Sequence, residues 1–86
     1  MQTGKWCYIT GRGDHLDLHH IYGGANRKAS DKWGCWCWLT HDVHMAAHDR
    51  QQELLYQLRR ECQERFEERY GHETFMAVFG RNYLEG

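Results

Sequence analysis

Six of the seven histidines of this 86-residue chain fall within one stretch, residues 15–48. His19 and His20 are adjacent, whereas His44 and His48 are four residues apart. Because four residues make just over one helical turn, the last two imidazoles would lie on one face of a helix. Imidazole suits zinc, nickel and other divalent transition metals. A third ligand from the adjacent pair would leave one coordination position open, which is typical of a catalytic metal site.

The length and the charge distribution set limits on the domain. We expect one domain over residues 1–86, and a chain of this size buries only about 60% of its unfolded surface, so a bound metal would help to stabilise it. The net charge of −1 does not indicate a nucleic-acid binder. Residues 1–37 nevertheless hold five basic against three acidic residues, and residues 38–86 hold six against nine. This asymmetry predicts a weakly basic first half and an acidic second half.

Hydropathy and cysteine spacing predict the compartment. Since no apolar run approaches about 18 residues, we expect neither a membrane span nor a secretory leader. The four cysteines form no CxxC pair, and Cys35 and Cys37 are too close for an ordinary disulfide within one strand. The sequence therefore predicts reduced thiols and a cytoplasmic protein.

The N-terminal part is predicted to form a hairpin. Residues 5–9 (KWCYI) are aromatic and β-branched, which favours a strand, and residues 10–14 (TGRGD) favour a turn. Residues 15–21 would then pair back as the second strand, with Leu16 and Leu18 alternating with Asp17 and His19. The same alternation directs His19 and His20 to opposite faces, so both reach one site only if the strand ends or kinks there.

The central part is predicted to complete a strand–strand–helix unit. Residues 23–34 are polar and lack an apolar period, which predicts a loop. Residues 35–39 (CWCWL) predict another strand. Thr40 fits a helix N-cap, and the helix should run to about residue 49. The predicted fold class is therefore α+β, with a ββα core over about residues 5–50.

Two helices are predicted over residues 51–86. In residues 51–70, apolar residues recur at intervals of three or four and form one stripe. Gly71 suits the position after the helix, residues 72–79 predict a second helix, and Gly80 ends it. The stripe comprises Leu55, Leu58, Cys62 and Phe66.

Three segments, in this order, resemble one nuclease family: LDLHHIYGGANRKAS, WGCWCWLTHDVHMAAH and ERYGHETFMAVFGRNYL. The chain is similar to the HNH endonucleases, which are also called ββα-metal or His-Me finger nucleases, and in particular to small HNH proteins of bacteriophages. The resemblance implies hydrolysis of DNA phosphodiester bonds with one divalent ion, Mg, Mn, Ni or Zn. It assigns His19, His44 and His48 as metal ligands and His20 as the general base.

Three assignments stay open. The middle position of the HNH pattern has Asn26 as its candidate, but a position nearer the helix, close to Cys35, is also possible. His41 lies on the same helical face as His44 and could replace one of the ligands. Asp17 and Asp49 could orient ligand imidazoles or simply be solvated.

The residue types suit this chemistry. Phosphodiester hydrolysis needs a deprotonated water, a cation near the phosphate and help for the leaving oxygen, and a neutral imidazole can take the proton at cellular pH. Four basic residues are predicted to meet DNA phosphates: Arg12, Arg27, Lys28 and Lys32.

The resemblance also implies the partner and the setting. It places the ligand-bearing helix in the minor groove of double-stranded DNA, and we expect the cytoplasm of the host if a phage encodes the chain. The alternative is a metal-stabilised DNA-binding module without turnover, or an accessory subunit of a phage recombination or packaging protein. The tryptophans of residues 33–38 are predicted to be core residues rather than base-stacking platforms.

Overall fold

The computed structural model describes residues 1–84; residues 85 and 86, included in the predicted domain, lie outside the described part. The chain is α+β, with a two-stranded antiparallel sheet followed by helices. No helix within residues 1–84 is long and apolar enough to cross a membrane. In chain order the elements are β1 (Leu16–His20), a short 3-10 helix (Gly24–Asn26), α1 (Arg27–Lys32), β2 (Trp36–Thr40), α2 (His41–Asp49), α3 (Gln52–Tyr70) and α4 (His72–Phe79).

The register of the sheet decides which side chains share a face. Leu16 pairs with Thr40 and His20 pairs with Trp36 at the two ends of the sheet. Because successive side chains of a strand point to opposite faces, the residues divide into two sets. The inner face carries Asp17, His19, Cys37 and Leu39, and the outer face carries Leu16, Leu18, His20, Trp36, Trp38 and Thr40.

The predicted first strand, residues 5–9, does not form. Cys7 alone makes a bridge, to Trp38, and residues 8–10 are already a turn. The N–H of Thr10 donates to the Cys7 sulfur at 3.4 Å, and the N–H of Gly11 donates to the Cys7 carbonyl at 2.8 Å. These bonds turn the chain directly after Cys7, so the partner of β1 is β2 and not residues 5–9.

The predicted loop over residues 23–34 is largely helical, in the 3-10 helix and α1. Its anchor is Ser30, which is fully buried. The Ser30 hydroxyl accepts from the Tyr22 N–H at 3.0 Å and donates to the Tyr22 carbonyl at 2.7 Å. A single buried serine therefore ties α1 to the end of β1, and a six-residue helix is too short to show an apolar period.

The helices after β2 have the predicted bounds to within about one residue. Gly71, with φ of +88°, separates α3 from α4, and Gly80, with φ of +72°, ends α4, which glycine permits without steric cost. One core joins the sheet to these helices: Cys7, Ile21, Tyr22, Cys35, Cys37, Leu39, Leu58, Cys62, Phe66, Phe75 and Phe79. All four cysteines are free thiols.

Candidate metal centre

Three imidazoles meet between the sheet and α2. His19 comes from the inner face of β1, and His44 and His48 come from successive turns of α2. Their ring centroids are 5.2 Å (His19–His44), 5.7 Å (His19–His48) and 4.9 Å (His44–His48) apart. One nitrogen of each ring lies within 4.8 Å of the others, and within residues 1–84 this is the one such group of three that could hold a metal ion. The structure thus brings the three predicted ligands together.

Burial is graded across the cluster. His19 is buried, His44 is half-buried and His48 is exposed. Burial is the main cause that lowers the pKa of His19 to about 4, and the neighbouring His44 and His48 add to it. His19 is therefore neutral at cellular pH, which leaves a ring nitrogen lone pair free to bind a cation. The exposed side at His48 gives the site access to solvent.

Asp17 lies beside the cluster, on the same face of β1 as His19. His44 Nδ1 donates to Asp17 Oδ2 at 3.1 Å, and His41 Nδ1 donates to the same oxygen at 2.8 Å. These hydrogen bonds hold the pKa of the Asp17 carboxyl below its usual range. Because Nδ1 of His44 carries the proton, its Nε2 is the nitrogen available to a metal. Of the two predicted carboxylates, Asp17 contacts the ring of a predicted ligand, His44, whereas Asp49 Oδ2 lies 3.8 Å from Arg50 Nε.

His41 has a different position from the other two histidines of α2. Its ring contacts Asp17 and its side chain is largely exposed. The group that could hold a metal consists of His19, His44 and His48 and does not include His41. The geometry therefore favours the first of the two ligand sets that the sequence left open.

The donor set fits a divalent transition metal. Three imidazoles, one of them hydrogen-bonded to a carboxylate, are the ligands found at zinc and nickel sites that keep a position open for water or substrate. A structural site with four protein ligands would need another donor, and the exposed edge at His48 faces solvent. The three histidines thus fit one divalent ion with an open coordination position.

His20 lies on the other face of β1. Its Nε2 is 3.7 Å from Asp31 Oδ1 of α1. A surface depression beside it is lined by Leu18, His20, Arg27, Lys28 and Asp31. The structure therefore places two of the four predicted phosphate-binding cations next to the predicted general base, and on the opposite side of the strand from the imidazole cluster.

The other predicted site residues lie elsewhere. The Asn26 amide donates to the Phe79 carbonyl at 3.2 Å, which ties the 3-10 helix to the end of α4. Cys35, the alternative for that position, is buried in the core. Arg12 pairs with the carboxylate of Asp14 at 2.7 Å. Lys32 lies in the last turn of α1.

Arg59 was missed by the sequence analysis. Its positive charge contributes, after burial and the two other cluster histidines, to lowering the pKa of His19, so it lies near the cluster. The guanidinium stacks over the ring of Tyr56 at 5.5 Å and the ring of Tyr83 at 5.9 Å. No sequence pattern distinguishes Arg59 from the other arginines of α3, because only the packing of α3 against α2 places it near the cluster.

Comparison of the chain with protein-family models, with curated proteins and with solved structures finds no match. The chemistry of the site therefore rests on its own side chains. These are three imidazoles that can share one ion, a carboxylate that orients one of them, and a fourth imidazole beside two cations.

Metal titration tests the ligand set. We expect one divalent ion per chain, and we expect His44→Ala and His48→Ala each to weaken its binding severely and to abolish the rise in melting temperature that the metal causes in the wild type. Asp17→Asn should weaken binding by about 10- to 100-fold, because it removes the partner that orients His44. Calorimetric titration with nickel or zinc measures these affinities.

His41→Ala is the matched control, since it removes an imidazole of the same helix that lies outside the cluster. Its metal affinity should remain within a few-fold of the wild type. Loss of binding in His41→Ala equal to that in His44→Ala would replace this ligand set with one that contains His41.

The pH dependence of stability tests the environment of His19 in the metal-free protein. In the unfolded chain its pKa is near 6.5, and in the folded chain burial lowers it to about 4. The unfolded state therefore binds more protons between these values, and the free energy of unfolding should fall by up to about 3 kcal/mol as the pH drops from about 6.5 to about 4. His19→Gln should lack this part of the slope in urea unfolding. Equal slopes in both proteins would show that His19 is solvated.

Proposed function

We propose that the chain is a metal-dependent endonuclease that hydrolyses DNA phosphodiester bonds, with the fold of a ββα-metal finger. The observation that carries the proposal is the imidazole cluster of β1 and α2. The residue that follows His19 in β1 is a fourth histidine, His20, which lies beside two cations on the opposite face. The order strand, connection, strand, helix is the layout expected from the resemblance to HNH endonucleases.

In this proposal His19, His44 and His48 hold the ion. When bound, a divalent cation supplies Lewis acidity to the phosphate and stabilises the leaving 3′-oxygen. Asp17 fixes the ring of His44 through the hydrogen bond at Nδ1. Burial keeps His19 neutral, so this ligand needs no deprotonation at cellular pH.

His20 takes the proton of the attacking water. The water oxygen forms the new bond to phosphorus, the bond from phosphorus to the 3′-oxygen breaks, and the water proton passes to the His20 imidazole. Asp31 lies 3.7 Å from Nε2, so the positive charge that then forms on the ring is close to a negative one. The released 3′-oxygen takes a proton from solvent water, so the products carry 5′-phosphate and 3′-hydroxyl ends.

In this proposal one phosphate reaches both faces by lying across the end of β1. Since the side chains of His19 and His20 point to opposite faces, a phosphate can meet both only where the strand ends. β1 ends at His20. Arg27 and Lys28 contact phosphates on the His20 side, and Arg59 contacts the phosphate on the cluster side.

His20→Ala separates an enzyme from a binding module. We expect the cleavage rate to fall by about 10²- to 10⁴-fold, because the general base is lost, while metal content and melting temperature stay at wild-type values. Plasmid cleavage with magnesium, manganese, nickel or zinc, and with EDTA as the blank, measures the rate. His15→Asn is the matched control, since His15 is exposed before β1 and asparagine tolerates its φ of +50°.

Two results would contradict this assignment. If His20→Ala loses the metal, His20 is a ligand and His19 becomes the candidate base. If the wild type binds DNA but cleaves it with none of the four metals, the chain is a metal-stabilised DNA-binding module or an accessory subunit of a phage recombination or packaging protein.

Arg59→Ala tests the cation at the cluster. Since a hydrogen bond to a charged group contributes about 1.5–3 kcal/mol, we expect cleavage to slow by about 10- to 150-fold with the metal affinity unchanged. Arg60→Ala is the control, because Arg60 is the neighbouring, exposed arginine of the same helix. Equal losses in the two variants would reduce the role of Arg59 to general surface charge.

A further inference from the structure

The part of the outer face formed by Leu18, Trp36 and Trp38 is less buried than the apolar part of the inner face. On the inner face, Cys37 and Leu39 have no exposed surface, and His19 is only 6% exposed. On the outer face, Leu18 is 39% exposed and both Trp36 and Trp38 are only partly buried. Trp36 and Trp38, which the sequence predicted to be core residues, therefore lie outside the core cluster.

The register places these tryptophans beside the proposed general base. His20 is directly opposite Trp36, and Leu18 is directly opposite Trp38. Side chains of directly opposed residues have Cβ atoms about 4.5–5.5 Å apart, so the Trp36 indole is a neighbour of the His20 imidazole. A nucleotide whose phosphate reaches His20 therefore has its base within reach of an aromatic ring.

Cations flank the aromatic pair. Lys5 Nζ lies 4.8 Å from the centre of the Trp38 ring at one end. Arg27 and Lys28 line the depression that contains His20 at the other end, and Asp31 is the acidic residue in the same depression. The face thus combines aromatic rings with a net positive charge, which is the combination that tracks a nucleic-acid backbone and stacks its bases.

We propose that this outer face, defined by Leu18, His20, Trp36 and Trp38, binds an unpaired segment of a DNA strand, with a base stacked against the tryptophans and the flanking phosphates held by Arg27, Lys28 and Lys5. The inference rests on the proposed nuclease function and specifies its substrate class. The two indoles are 6.4 Å apart between centroids and inclined at 77°. They form a corner, in which a base can lie on one ring with its edge against the other.

The need for an unpaired segment follows from the stacking. Inside a duplex both faces of a base are covered by its neighbours, so a side chain can stack on the base only after the base leaves the helix. Single-stranded DNA, or a duplex with a gap or a flap, offers these faces without the cost of unstacking. The preferred substrate is therefore DNA that contains single-stranded nucleotides.

Binding measured without cleavage tests the proposal. The anisotropy of a labelled oligonucleotide, in EDTA, gives affinities for a single strand and for the duplex of the same sequence. Trp36→Leu should weaken single-strand binding by about 5- to 150-fold, the fold-change that corresponds to one lost base–aromatic stack, and should leave duplex binding near the wild-type value. Trp36→Tyr should restore most of the affinity, because it keeps a stacking ring.

Two further variants control for fold and for general charge. Tyr70→Leu removes an exposed aromatic ring of α3, whose centroid lies 5.1 Å from that of Trp33. This variant should bind the single strand and the duplex with wild-type affinity. Arg27→Gln with Lys28→Gln changes exposed positions of α1 and should reduce the salt slope of single-strand binding by about 0.7 for each lost cation. These exposed changes keep the test valid if Trp36→Leu does not fold.

The outcomes distinguish this inference from the nuclease itself. The single-strand platform would be overturned, even if cleavage is observed, if the wild type binds single strand and duplex with equal affinity. It would also be overturned if Trp36→Leu keeps the wild-type affinity for the single strand and the double variant of Arg27 and Lys28 keeps the wild-type salt slope. Single-strand binding that depends on Trp36, in a protein that cleaves nothing, would support the platform and contradict the nuclease. Binding of neither form of DNA would overturn both.

Discussion

The antiparallel pairing of β1 with β2 determines where the histidine cluster and His20 lie. Two five-residue strands are marginally stable alone in water and need an apolar face to pack on. The inner face of this pair supplies it through Cys37 and Leu39, which are fully buried. Because side chains alternate, burying these residues also directs His19 inward, towards α2, and directs His20 outward. The division into metal centre and outer face follows from the packing of the sheet.

The candidate metal centre lies where the fold buries a polar side chain. His19 is an imidazole buried next to two others, and its low pKa shows that the folded chain disfavours its protonation. If a cation binds the cluster, its coordination by the neutral ring would link β1 to α2 through this buried polar group. A chain this small has little core to spare, so the same ion would contribute to stability as well as to chemistry.

The sequence predicted the elements that have a clear period and missed those that depend on distant contacts. The ligand spacing within α2, the long helix and its glycine stop are local patterns, and the structure has them. Residues 5–9 have strand composition, yet the bonds from Thr10 and Gly11 to Cys7 turn the chain away. The helix α1 has no local signal, because its anchor is the tertiary contact between Ser30 and Tyr22.

The same limit applies to the site. The spacing showed that His41, His44 and His48 share a helical face, but it could not rank them. The tertiary structure separates them: His44 and His48 meet His19, whereas His41 lies outside that cluster and only shares the Asp17 carboxylate with His44. Arg59 could not be predicted from the sequence either, because no local pattern in α3 distinguishes it from Arg60.

The positions of His19 and His20 depend on the register of β1 with β2. A shift of β1 by one residue would move His19 to the outer face and His20 to the inner one. Three contacts beyond the ladder oppose such a shift: the His41 N–H donates to the His15 carbonyl at one end, the Ile21 N–H donates to the Cys35 carbonyl at the other, and Ser30 holds Tyr22 just beyond. A change that loosens any of them would therefore disturb the histidine cluster and the outer face together, even though none of these groups belongs to either.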